Sequence, residues 1–277
     1  MTTRSLKSIL PQLDNLYSCY NKLEFVSPDP LQFLYDYPNL RDREIVGMIA
    51  SSLAYGGVKQ ILASVGRALK PMSDSPFEFL VSRSLPELQK TYADFKHRFA
   101  TGADLTLMLW GLKRMIEEYG SLEVGFLAGY KDSDETVLPA LSGFVGRLRE
   151  FSKIKDAFQT HGYRHLLPCP EKGGASKRLN LFLRWMVRKD AVDPGGWEKV
   201  SPAGLIVPVD LHMHRIGIAL GLTTRKQANL KTALEITAAF RQIAPDDPVR
   251  YDFVLTRLGI RDDTDMNAFL DSCHLTP

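Results

Sequence analysis

In LIVPVDLHMHRIGIALGL, residues 205–222, an apolar run broken by Pro208 gives way to a largely hydrophobic helix, with one aspartate, Asp210, at the junction. An Asp just before a helix accepts from the first free N–H groups, so capping is its simplest role. The segment that follows carries Leu211, Met213, Ile216, Ile218 and Leu220 on more than one face. That pattern predicts burial and puts Asp210 at the edge of a protected pocket. A buried carboxylate needs partners, and a cap supplies them while leaving an oxygen for chemistry. His212 and His214 raise a second possibility, a metal site. An His-x-His pair shares a face on a strand, but on a helix the two residues lie about 200° apart.

Outward from this stretch, helical periodicity dominates. RDREIVGMIASSLAYGG (41–57) puts Ile45, Met48, Ile49 and Leu53 on one stripe and is expected to end at its two glycines. VKQILASVGRALKPM (58–72) repeats the pattern and stops before Pro71. GADLTLMLWGLKRMIEEYG (102–120) starts near Asp104 and closes at Gly120. SDETVLPALSGFVGRLREFSK (133–153) follows, with Pro139 in its opening turn. Further helices are predicted at 175–189, 211–220, 226–243 and 248–258. LIVPV is the one short β-like run, and no internal repeat is visible. The fold class is therefore all-α, built from many short helices with short connections. RKDAVDPGGWEKVSPAG (188–204) is the best candidate for a long irregular connection, between the two helices that carry the candidate chemistry.

The chain has 277 residues, 44% of them hydrophobic, enough to bury a sizeable core in one region or two helical lobes with a cleft between them. Residues 1–40 read as a helical extension, and residues 168–220 hold the candidate hairpin and catalytic segment. A net charge of +3 permits a nucleic-acid partner without requiring one. Cys19, Cys169 and Cys273 are odd in number and far apart, which argues against a disulfide framework and a clustered metal site. The N-terminus is too polar for a secretory signal, and no apolar run approaches membrane-spanning length. The expectation is a cytoplasmic monomer with no membrane contact and no cofactor.

CPEKGGASKRLNLFLRWMVRK (169–189) sets a glycine pair before a helix expected to begin near Ala175. Leu179, Phe182, Leu183, Met186 and Val187 share its buried face, while Lys177, Leu181, Arg184 and Arg188 form the opposite stripe. The plain reading of that stripe is a solvated basic face. The sharper one notes that Gly173 and Gly174 allow close backbone approach where free N–H groups hold a phosphate. Lys177, in the first turn, would feel a dipole that favours its neutral, nucleophilic amine.

VPVDLHMHRI (207–216) resembles the segment that carries the catalytic aspartate in the helix-hairpin-helix DNA glycosylase/AP lyase superfamily, particularly the 8-oxoguanine glycosylases. GGASKRLNLFL (173–183) sits where that family places its hairpin and nucleophilic lysine. The Lys177 to Asp210 separation of 33 residues is closest to the archaeal 8-oxoguanine branch, in which an insertion lengthens the connection. The whole chain also resembles an uncharacterised bacterial family related to that superfamily. It departs from the pattern in its hairpin, which reads PCPEKGGAS where members typically have Leu-Pro-Gly-Val-Gly.

The resemblance implies a partner, double-stranded DNA with a damaged base, and a multi-helix, two-lobed glycosylase fold. Lys177 and Asp210 would be catalytic, Lys177 by attack at C1′ of a flipped nucleotide and Asp210 by stabilising the charge that develops there. Gly173, Gly174, Ser176, Arg178 and Arg184 would lie along the DNA, with His212 at the pocket edge. Leu181 stands four residues after the lysine, where members place a side chain against the damaged base. Asp252 could accept from a purine N–H, and Phe253 could stack, although core packing suits Phe253 better. Tyr55, in AYGGVK (54–59), is the candidate wedge for the duplex gap. No four-cysteine cluster is present near the C-terminus, so no iron–sulfur cluster is expected. Two other readings stay open: a catalytically silent nucleic-acid-binding protein of the same fold, and a metal-dependent hydrolase using the Asp-x-His-x-His segment.

Overall fold

The computed structural model describes residues 4–154, 160–259 and 264–273. Helix Gly102–Tyr119 shows how local sequence sets a boundary. Asp104 Oδ2 accepts from the Thr101 N–H at 2.7 Å, and the Thr101 hydroxyl accepts from the Asp104 N–H at 3.4 Å, a reciprocal capping box. At the other end Gly120 adopts a left-handed φ of 83° and stops the helix. Leu138–Phe151 packs along it, with Pro139 in the first turn as its sequence suggested. A Cβ at Gly111 would come within 2.7 Å of the Leu148 carbonyl, so this close approach needs a glycine.

The centre of the molecule is a second helix pair, Leu40–Ser52 against Lys177–Val187. Leu40–Ser52 is buried without a break from Glu44 to Ser52. Gly47 there lies against Phe182 and Met186. The predicted apolar face of the partner helix, Leu179, Phe182, Leu183, Met186 and Val187, is in the core. The N-terminal helix Leu10–Tyr20 packs on Asp252–Arg257, as does Leu211–Ala219. Leu13 and Leu16 enter the core, and each fully buried side chain of this kind stabilises by about 1.5–3 kcal/mol. The protein is predominantly helical. Among the described residues the β structure is a two-residue hairpin, Lys96–His97 with Ala100–Thr101, plus isolated bridges. No helix among them is long and apolar enough to cross a membrane.

Several details differ from the sequence reading; the helix predicted at 226–243, for one, is Leu230–Arg241. Helix Leu40–Ser52 ends before Gly56 and Gly57; Leu53 closes it in a right-handed conformation, and Gly57 instead precedes helix Val58–Leu69. The glycines shape the following turn, where Gly56 has φ 98°. LIVPV is extended and buried but pairs with no strand; the Val207 N–H donates to Thr237 Oγ1 at 3.0 Å. The helix predicted at 248–258 is shorter, Asp252–Arg257, because a turn occupies the residues before it.

Glu44 explains how the irregular 188–204 connection is anchored. Its Oε1 accepts from Trp197 Nε1 at 2.7 Å and from the Glu123 N–H at 2.8 Å, and its Oε2 from the Leu122 N–H at 3.1 Å. Burial pushes the Glu44 carboxyl up to about 7, against the pull of those three donors. In Glu44→Gln an NH2 replaces one acceptor and faces a donor. The expected loss is about 1–3 kcal/mol, read as a fall of several degrees in Tm. An unchanged melting curve would remove Glu44 as the anchor.

Candidate active site

The buried run 205–209 delivers Asp210 to the start of helix Leu211–Ala219 as its N-cap. One oxygen, Oδ1, accepts from the His212 and Met213 N–H groups, both at 2.9 Å. The other, Oδ2, lies 2.8 Å from Lys177 Nζ, the first residue of helix Lys177–Val187. Burial raises the Asp210 pKa, but Lys177 and the cap overcome it and hold the carboxyl below its usual range. The carboxylate therefore stays charged at neutral pH with its orientation fixed by the cap.

This pair borders a cavity of about 560 Å³. Leu181, Tyr55 and His212 line it too, together with Arg184 and Asp252. Its charges are balanced. Arg184 Nη1 meets Asp252 Oδ2 at 2.5 Å, and Arg257 Nη2 meets Asp29 Oδ2 at 2.7 Å. Both arginines are almost fully buried, whereas the side chains of Lys177 and Asp210 keep 32% and 26% of their exposure. Of the three pairs, Lys177–Asp210 is the most exposed. Asp252 Oδ1 is buried without a hydrogen-bond partner, which leaves an acceptor unsatisfied in the cavity wall.

The supposed basic stripe is not a solvated face. Arg184 and Arg188 are each 3% exposed. Asp193 bridges them, Oδ1 to Arg184 Nη2 at 3.1 Å and Oδ2 to Arg188 Nη1. Arg188 also holds Asp247 at 2.9 Å and Asp190 at 2.8 Å. Helical spacing shows which residues share a face, but the carboxylates that cover this one come from the 188–204 connection and from residues 247 and 252. A cleft of about 580 Å³ on the far side of the network is lined by Arg188, Asp190 and Asp247, already paired with one another.

The remaining candidates separate. Gly173 and Gly174 are held by the backbone of residues 229–230, through the Leu230 N–H to the Gly173 carbonyl at 3.0 Å and a bridge between Gly174 and Asn229. Ser176 precedes the helix with a left-handed φ of 48° and makes no cap. The helix consequently begins at Lys177 rather than at Ala175. Arg178 donates to the carbonyls of Ser52, at 2.8 Å, and His165, and its guanidinium lies 4.8 Å from the centre of the Tyr55 ring. Phe253 is 1% exposed and packs under Arg257, outside the cavity lining, as its core reading anticipated. Tyr55 borders the cavity, with its hydroxyl donating to the His97 carbonyl. His212 is exposed, whereas His214 is buried against the Arg225 carbonyl at 2.8 Å. The two histidines thus diverge on a helix, and no three His, Cys, Asp or Glu side chains among the described residues gather to hold a metal. That geometry disfavours the metal-hydrolase reading. The sequence reading missed Asp29, Thr256 and Arg257, which complete the wall from segments more than two hundred residues apart.

A model of one protein family, described as "Protein of unknown function (DUF2400)", matches residues 29–261. No curated protein and no solved structure matches the chain.

Proposed function

The chain belongs to the family just described, and we propose that it is a DNA glycosylase/AP lyase of the helix-hairpin-helix type that removes an oxidised purine such as 8-oxoguanine through a Schiff base on Lys177. The observation that carries this reading is the 2.8 Å contact of an accessible amine with a capped carboxylate at the edge of a ligand-sized cavity. Small-molecule sites occupy about 300–1,000 Å³, and a nucleoside needs this kind of space once flipped from the duplex.

The steps use these two side chains. The Lys177 ammonium loses a proton, for which Asp210 Oδ2 is the acceptor in contact. A carboxylate held below its usual range releases that proton readily and is charged again when positive charge develops at C1′. The amine nitrogen bonds to C1′ while the C1′–N9 bond breaks, its electron pair leaving with the base, which takes up a proton. The C1′–O4′ bond then breaks, O4′ taking up a proton lost by the attacking nitrogen, to give the iminium. Loss of a C2′ proton then expels the 3′ phosphate by β-elimination, and water hydrolyses the imine to return Lys177. Asp252 accepts from a purine N–H, and Leu181 packs against the base.

Asp252 gives this assignment a pH signature. Burial, opposed by Arg184, pushes its carboxyl up to about 6. Because the folded value lies above the ordinary one, ionisation costs stability as pH rises through this range. The same ionisation supplies the acceptor, so excision rises with pH through about 6. Single-turnover rates for Asp252→Asn are expected to lose that inflection; its persistence would remove Asp252 from base recognition.

The reading is tested by borohydride trapping on oligonucleotides carrying an abasic site or a panel of damaged bases. A covalent adduct supports it. Salt-sensitive DNA binding with no adduct would identify a silent binding protein instead.

A further inference from the structure

Helix Leu10–Tyr20 and Asn21 after it precede the family-matched residues 29–261. They nonetheless hold one end of the buried ion network. Asp190 Oδ2 accepts from the Tyr17 hydroxyl at 2.9 Å and from Asn21 Nδ2 at 3.1 Å. The same oxygen lies 2.8 Å from Arg188 Nη2. Arg188 Nη1 meets Asp193 Oδ2, Asp193 Oδ1 meets Arg184 Nη2 at 3.1 Å, and Arg184 Nη1 meets Asp252 Oδ2 at 2.5 Å. The chain of contacts ends at Asp252 Oδ1, unpartnered in the wall of the cavity that Lys177 borders. From Arg188 to Asp252 no side chain in it is more than 4% exposed, so these pairings escape most solvent screening.

We propose that Tyr17 is a positioning residue for Asp252, acting through the Asp190–Arg188–Asp193–Arg184 chain. The inference rests on the glycosylase reading for its effect on excision, not for its geometry. Each guanidinium is shared between carboxylates, so a bond strengthened on one side is weakened on the other. Burial and the Asp190 carboxylate push the Tyr17 phenol up to about 12, which keeps it protonated as the donor. Without that donor Asp190 draws harder on Arg188, which loosens on Asp193. Asp193 then takes more of Arg184, and Asp252 is left with less. Its carboxyl, already pushed up by burial, rises further. The other charges around Asp252 lie outside this chain. Lys177 and Asp210 pair with each other across the cavity, where His212 also stands, and Arg257 on the same helix is held by Asp29. On helix Leu10–Tyr20, Asp14 faces Tyr251 and Arg250.

The test is the titration of the Asp252 carboxyl in the full chain, followed by carbon-13 NMR with labelled aspartate and assigned by its loss in Asp252→Asn. Tyr17→Phe keeps the ring against Tyr251 and Arg250 and removes only the donor. It should raise the midpoint by about 0.5 pH or more. Asn21→Ala, which removes the second donor to the same oxygen, should move it the same way. Tyr251→Phe breaks a bond to the same N-terminal helix, at Asp14, but leaves the chain intact and should not move the midpoint. The rise of excision rate with pH should shift upward in Tyr17→Phe by the same amount. An unmoved midpoint in Tyr17→Phe overturns the proposal; should that variant not fold, Asn21→Ala decides in its place. An equal shift in Tyr251→Phe also overturns it, since that marks a general loosening of helix Asp252–Arg257. A shifted midpoint in a protein that excises no base at any pH upholds the chain from Tyr17 to Asp252 and overturns the glycosylase reading.

Discussion

Lys177→Gln will abolish the adduct that borohydride traps between the chain and an abasic oligonucleotide. Glutamine keeps most of the side-chain length and still donates to Asp210 Oδ2, so the local structure survives while the nucleophilic amine is gone. Nothing else near the cavity replaces it, since Arg184 and Arg257 are buried in ion pairs and a guanidinium does not form a Schiff base. Base excision falls with it, by at least about 10³-fold, because covalent attack and charge placement at C1′ are lost together. Asp210→Asn is the companion. Asparagine caps as well as aspartate, so helix Leu211–Ala219 stays in place. The missing charge slows excision by about 10²–10³-fold. A trapped adduct that survives Lys177→Gln would move the nucleophile to another amine, such as Lys172, Lys189 or Lys199.

Arg184→Met carries the largest expected cost in stability. The substitution keeps volume in a core position but leaves Asp193 and Asp252 facing each other's surroundings without their shared cation. Removing one partner of a buried ion pair costs about 3–5 kcal/mol. For a chain of this size that lowers Tm by about 10 °C. Arg184→Lys recovers only part of the loss, because an ammonium cannot reach both carboxylates with a planar fork. The effect is read by thermal unfolding at neutral pH, where the buried carboxylates have most to lose. A Tm within a degree or two of wild type would show that the network contributes little.

The helices were legible because their signals are local. Gly120 and the apolar spacing of Leu179 to Val187 each act within a few residues and appear where expected, and the helix expected to start near Asp104 starts two residues earlier, at Gly102. The Lys177–Asp210 contact was legible for another reason: each side chain opens a helix, and the resemblance joined two motifs that spacing alone leaves apart. What failed was anything decided by distant partners. Arg184 and Arg188 fall on a polar stripe by periodicity, and only folding brings Asp193, Asp247 and Asp252 onto it. Arg257 and Asp29 meet across 228 positions with no pattern to announce them. Gly56 and Gly57 look like a helix stop, but Leu53 ends the helix first. The N-terminal residues gave no sign of where they dock. In the structure the Tyr17 hydroxyl donates to Asp190 at 2.9 Å, and the Tyr251 hydroxyl to Asp14 at 2.8 Å, which fixes them on the domain.

The most direct measurement is peptide mapping of the borohydride-reduced adduct by mass spectrometry. The mass of the deoxyribose remnant should appear on Lys177 and on no other residue. The same remnant on a different lysine or on the N-terminal amine, with Lys177 unmodified, would contradict the catalytic pairing of Lys177 with Asp210.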